Sequence, residues 1–222
     1  MGCDIHVLTE RKYEDKWLNC DNWKYNYYFG KDEYEKQFDL KPVYTDRNYE
    51  LFSVLANVRN GASIWEIMAG NGDKAVSLPY ISEPKGIPEN CCIHTKEYID
   101  DWDCGGHSHS YFTIKELYNY WISMDLKIKR SGILVGQVLE DFDEKGIIPK
   151  EWRKGYSGSE KSGYRQWEVE YNPLDDFMKA IIKYFCDVMW ILGNTDDLKS
   201  DYIKEKIEQI GDDFRVVFFF DN

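Results

Sequence analysis

Phe214-Arg215-Val216-Val217-Phe218-Phe219-Phe220 is apolar at six of its seven positions. A strand with one wet face alternates apolar and polar residues, so a run apolar almost throughout reads as a strand covered on both faces. The covering elements are legible upstream. Asn172-Pro173 is a strong helix start, a capping residue followed by proline where the missing N–H costs nothing. That helix is expected to run to about Leu192, to stop at Gly193 and to bury Phe177, Ile181, Phe185, Val188 and Leu192. A second is expected over about 197–210, ending at Gly211. Thr113-Ile114-Lys115-Glu116 is a capping box that opens a helix with Leu117, Tyr120, Trp121 and Met124 on one face. Asp46 and Asn48 are both suitable caps for a helix over 49–59, in which Leu51, Leu55 and Val58 recur at helical spacing and Phe52 widens the stripe.

Strands are expected at 3–9, 107–112 and 164–171. Residues 10–45, rich in Tyr, Trp, Asp and Lys, read as an excursion with a hairpin around 22–29. Residues 60–90 read as a long loop, and 154–163 as a Gly/Ser-rich turn within a second excursion, 130–165. Strands and helices do not alternate, so the expected class is α+β: a mixed or antiparallel sheet packed against several helices, in one domain over 1–222.

The chain is 43% hydrophobic and 16% aromatic, which argues for a packed core. With 28 basic and 40 acidic side chains its formal charge is −12, which disfavours nucleic acid polymers as partners. A small anionic ligand remains compatible with a locally positive pocket. No basic start followed by an apolar run marks a secretory signal, and no run approaches the ~20 apolar residues of a membrane span. A cytoplasmic protein with reduced thiols is therefore expected. The six cysteines, at 3, 20, 91, 92, 104 and 186, match no zinc-finger spacing.

Chemistry is expected at the histidines, of which there are four: His6, His94, His107 and His109. Residues two apart in a strand share a face at roughly 6.6 Å, so Asp4 with His6, and His107 with His109, each present two donors together. Were the two strands neighbours, these four could hold one divalent ion, zinc, manganese or iron. The same groups could instead act as a metal-free acid–base site, or merely satisfy a buried network and cap a turn. Asp101 and Asp103 could orient an imidazole or act as general base, with His109 as a further acid–base group. Arg47 and Arg59 bracket the first helix, and with Asn48, Asn60 and Ser108 could grip a phosphate. Tyr49, Trp102 and Tyr111 could stack on a base, although aromatics beside a strand are more often core.

The opening Met1-Gly2-Cys3-Asp4-Ile5-His6 resembles that of a family of largely uncharacterised proteins of tailed bacteriophages and prophages. The likeness extends to Arg47-Asn48-Tyr49-Glu50-Leu51-Phe52, to Leu55-Ala56-Asn57-Val58-Arg59-Asn60, to Gly86-Ile87-Pro88, and to His107-Ser108-His109-Ser110-Tyr111 with Thr113 and Glu116-Leu117. The resemblance implies a phage setting in the host cytoplasm rather than a reaction. Proteins that cleave or sequester nucleotide-derived immune signals, as counter-defence, are one class that fits. Two functions follow. One is a hydrolase of a small phosphorylated, nucleotide-like molecule, metal-assisted or using His and Asp as acid and base. The other is a non-catalytic sponge for such a molecule, for which a homo-oligomer with pockets between subunits would also fit. A protein-binding inhibitor has only the acidic surface in its favour.

Overall fold

The structure is a computed structural model that describes residues 3–27, 30, 37–60, 77–102, 105–124, 127–148, 161–192 and 197–221. In chain order its elements are β1 (Ile5–Tyr13), β2 (Lys16–Asn19), β3 (Asn22–Tyr25), β4 (Phe38–Lys41), α1 (Tyr49–Ala56), α2 (Ile93–Asp100), β5 (Gly106–Thr113), α3 (Ile114–Ser123), β6 (Lys127–Val135), α4 (Gln137–Lys145), β7 (Ser162–Glu170), α5 (Asp175–Val188), α6 (Asp201–Ile210) and β8 (Phe214–Asp221). The fold is α+β and its strand pairs are antiparallel. The chain divides into two compact units, 1–123 with 173–222, and 124–172.

In the larger unit the terminal strand is the organising element. β8 pairs with β1 on one side and β5 on the other, in the sheet order β2-β1-β8-β5. Residues 214–220 are all buried, as an apolar run between two neighbouring strands requires. One face carries Phe214, Val216, Phe218 and Phe220, where Phe220 meets Phe52 of α1 at 5.0 Å and Phe214 meets Phe185 of α5 at 5.4 Å. The other carries Val217 and Phe219, which join Leu8 and Ile99 of α2 in a separate apolar cluster.

The capping box forms as read. The Thr113 N–H donates to Glu116 at 2.8 Å, and the Glu116 N–H donates to the Thr113 hydroxyl at 3.2 Å. Asn48, not Asp46, caps α1, accepting from the Glu50 and Leu51 N–H groups. Three expected spans are shorter than read. α1 stops at Ala56, because Asn57 turns left-handed at φ 57°. α5 spans 175–188 and leaves Leu192 84% exposed. α6 begins at Asp201. The expected hairpin pairs β3 with β4, while Phe29 lies outside the described residues, as do Gly193 and 154–160. α2 was not expected: of its eight residues only Thr95 and Ile99 are buried, and so short an apolar stripe gives little periodicity to read.

The smaller unit is a β6–β7 hairpin with α4, around Leu134, Leu139 and Trp167. Arg165 grips Asp143 with two hydrogen bonds of 2.6 and 2.5 Å. The excursion expected over 130–165 falls within it.

A half-buried carboxyl just after β2 gives the larger unit a pH dependence. Asp21 accepts from the Thr9 N–H at 2.8 Å, the Thr9 hydroxyl at 2.6 Å and Asn19 at 2.6 Å. Burial nonetheless raises its pKa from 3.8 to about 6, outweighing the lowering by those bonds. A raised carboxyl binds its proton more tightly when folded. Its contribution to stability is thus complete below about pH 4 and is lost as pH rises through about 6. Urea midpoints should show wild type losing on the order of 1–3 kcal/mol relative to Asp21→Asn between about pH 4 and 7. Parallel pH profiles for the two proteins would refute the assignment.

Candidate functional site

The His-Ser-His segment is not a regular strand. His107 stands opposite Phe220 and Ser110 opposite Phe218, so Ser108 and His109 together face the single residue Phe219. This is a β-bulge, and Ser108 occupies it with a left-handed φ of 52°. The extra residue inverts the rule that positions two apart share a face. His109 stacks on Phe219 at 5.2 Å, whereas His107 lies toward Phe220, on the opposite face, at 6.2 Å. Gly106 permits the stack, since a Cβ there would stand 3.1 Å from the Phe219 ring and 3.4 Å from His109 Nε2. Burial, then the charge of His107, holds the His109 imidazole pKa below its ordinary 6.5.

The other expected pair is separated from these by a strand. β8 lies between β1 and β5, so His6 faces Phe219 from the far side, stacked at 4.6 Å, and also meets Trp102 at 4.1 Å. His6 and His109 thus flank one phenylalanine instead of one ion. The His6 Nε2 atom lies 3.2 Å from Asp221, and the Tyr98 hydroxyl lies 3.5 Å from His6 Nδ1. The backbone N–H of Asp4 donates to Asp221 at 2.8 Å. The Asp4 carboxylate is gripped by Arg47 at 2.7 and 2.6 Å, which holds its pKa below the usual carboxylate value. Asp221 was missed in the sequence, where its position just beyond the Phe218–Phe220 run was the only signal. Asp4, His6, His107 and His109 therefore do not converge. Among the described residues no group of three or more His, Cys, Asp or Glu is placed to hold a metal ion.

What the fold does bring together is Arg59 with His107 and Ser108. They line an open hollow of about 350 Å³, with Asn57, Glu83 and Pro84. Two left-handed residues, Asn57 and Arg59 at φ 57° and 52°, turn the chain after α1 and set the Arg59 guanidinium 5.1 Å from the centre of the Tyr49 ring. The 77–90 loop is tied to β5 by Gly86 N–H donating to the His109 carbonyl at 2.8 Å and Lys85 N–H donating to Ser110 at 3.2 Å, which delivers Glu83 and Pro84. Glu83 accepts from the Tyr80 hydroxyl at 2.6 Å. His107 Nδ1 and the Ser108 hydroxyl are 3.0 Å apart. His107 Nε2 is buried, and no hydrogen-bond partner for it is found among the described residues. Burial pushes the Cys3 thiol pKa up, and a hydrogen bond from Arg59 offsets this only in part.

The remaining expected site residues are placed elsewhere. Asn48 is committed to its cap, and Asn60 bridges Asn57 and Leu78 through bonds of 2.7–2.9 Å. Tyr111 packs on the Leu8–Val217–Phe219 cluster, as most aromatics beside a strand do. Asp101 caps the C-terminus of α2 and lines a different hollow, and Asp103 lies outside the described residues. Among the described residues no helix is long and apolar enough to cross a membrane. Comparison with known proteins finds no family model that matches the chain, and no curated protein or solved structure significantly similar to it.

Proposed function

We propose that the chain binds a small phosphorylated, nucleotide-like molecule in the hollow formed by Arg59, His107 and Ser108, and sequesters it without turnover. The observation that carries this reading is His107 Nε2, a buried nitrogen with no partner among the described residues, in the wall of a hollow that also holds a guanidinium. Leaving such a nitrogen unpaired costs about 1–3 kcal/mol, which a phosphate oxygen would recover once ligand seating shifts the His107 ring enough to open Nε2 to the hollow. Arg59 supplies a planar cation suited to the same group, and a Ser108 hydroxyl that donates to His107 Nδ1 keeps the ring proton on Nε2, where it faces the phosphate. The resemblance to phage proteins makes a host immune signal a fitting ligand.

Sequestration is preferred to metal-assisted hydrolysis because the expected donors lie on two faces of the sheet, separated by β8. Hydrolysis without a metal has one observation in its favour, the 3.0 Å approach of the Ser108 hydroxyl to His107 Nδ1, a nucleophile-to-base distance. Titration with AMP, ADP and cyclic AMP, with the mixtures then analysed for products, separates the readings. Sequestration predicts binding without product, and a loss of roughly 10–100-fold in affinity for Arg59→Ala and for His107→Ala, as deletion of a charge-assisted hydrogen bond implies. Product that appears with wild type and vanishes with Ser108→Ala would establish hydrolysis. Full affinity in both the Arg59→Ala and His107→Ala proteins would refute the site.

A further inference from the structure

A second hollow, of about 340 Å³, is built quite differently. Trp23 of β3 and Phe38 of β4 contribute aromatic wall from the hairpin, and Tyr98 of α2 contributes a third ring. Trp23 and Phe38 remain 40% and 48% exposed, so folding leaves large apolar surface uncovered at this spot. The Trp23 and Tyr98 rings stand nearly perpendicular, at 71°, with centroids 6.4 Å apart. Three carboxylates, Asp39, Glu97 and Asp101, share the rest of the lining with Leu40 and with His94, whose Nδ1 lies 3.8 Å from Glu97; among the described residues the lining contains neither lysine nor arginine.

Rings and carboxylates select for the same charge by independent routes. An aromatic face carries negative electrostatic potential and attracts a cation within about 6 Å of its centre. The carboxylates add full negative charge, and the body of the protein adds a formal −12. An anion is repelled by both features, and a neutral molecule gains only apolar contact. We propose that this hollow binds a small organic cation, an alkyl or quaternary ammonium ion, seated against Trp23, Phe38 and Tyr98 and neutralised by Glu97 and its neighbours. The site is separate from the anion hollow at Arg59 and shares no lining residue with it.

The test is calorimetric titration of the whole chain with choline and with 3,3-dimethylbutan-1-ol, which has the same shape without the charge. Choline should bind saturably and the neutral alcohol roughly ten-fold more weakly or not at all, the margin expected of cation–π attraction. Trp23→Ala and Glu97→Gln should each weaken choline binding roughly 3–30-fold. Glu97→Gln keeps the size of an exposed side chain and so tests the site without disturbing packing, even if Trp23→Ala perturbs the hairpin. Equal binding of the alcohol, unchanged choline affinity in Glu97→Gln, or no saturable choline binding by wild type would each overturn the proposal.

Discussion

Glu10→Ala is expected to lower the stability of the fold by about 3–5 kcal/mol, the cost of stranding a buried charge. Arg215 is the one polar residue in the Phe214–Phe220 run and is only 4% exposed. Its partner on β1 is Glu10, directly opposite in register and 0% exposed. Arg215 donates to Glu10 through Nε at 2.7 Å and approaches it through Nη2 at 2.6 Å. The other Glu10 oxygen accepts from the Cys92 N–H at 2.8 Å, and Arg215 Nη1 donates to Asn90 at 2.8 Å. The guanidinium also lies 4.0 Å from the centre of the Trp17 ring. Every strong group is satisfied, so the pair is tolerated inside the sheet. Removing one member leaves the other charge without compensation in a medium that cannot solvate it. The double replacement Glu10→Leu with Arg215→Met should recover most of the loss, because it removes both desolvation costs together. Urea denaturation at constant m-value is the measurement, and a loss below about 1 kcal/mol for Glu10→Ala would contradict the account.

Phe219→Ala is expected to cost about 3–5 kcal/mol, by transfer of a large buried ring and the cavity left behind. The ring is 0% exposed and is flanked by His6, His109 and Trp102 at 4.6, 5.2 and 6.0 Å. It faces away from the hollow at Arg59 and His107, which lies on the Phe220 face. Nucleotide affinity should therefore fall by less than about 3-fold at a temperature where the variant stays folded, well under the decade or more expected of Arg59→Ala. A loss of affinity as large as that of Arg59→Ala would show that the ligand sits on the other face.

The parts of this fold that were legible in the sequence are those governed by local rules. The Thr113–Glu116 capping box, the Asn48 cap and the doubly covered final strand each follow from a few adjacent residues. The candidate site was legible only in its residue types. Arg59, His107 and Ser108 were singled out, but pairing His107 with His109 assumed a regular strand, and the bulge at Ser108 reverses one of them. Nothing in Gly106–Ser110 announces that bulge, because the left-handed position is held by serine rather than glycine. The adjacency assumed between β1 and β5 failed for a different reason. The run that reads as covered on both faces was not also read as the strand separating the two histidine segments. α2 escaped notice because an eight-residue helix with two buried side chains leaves almost no periodic signal.

Arg59 and His107 are proposed to hold a phosphorylated small molecule intact. The most direct measurement incubates the purified chain with a pool of cellular nucleotides, reisolates it, denatures it and weighs what is released. Wild type should deplete a phosphorylated species from the pool and return it with its mass unchanged, while the Arg59→Ala, His107→Ala double variant should deplete nothing. Depletion by neither protein, or equal depletion by both, would contradict the claim.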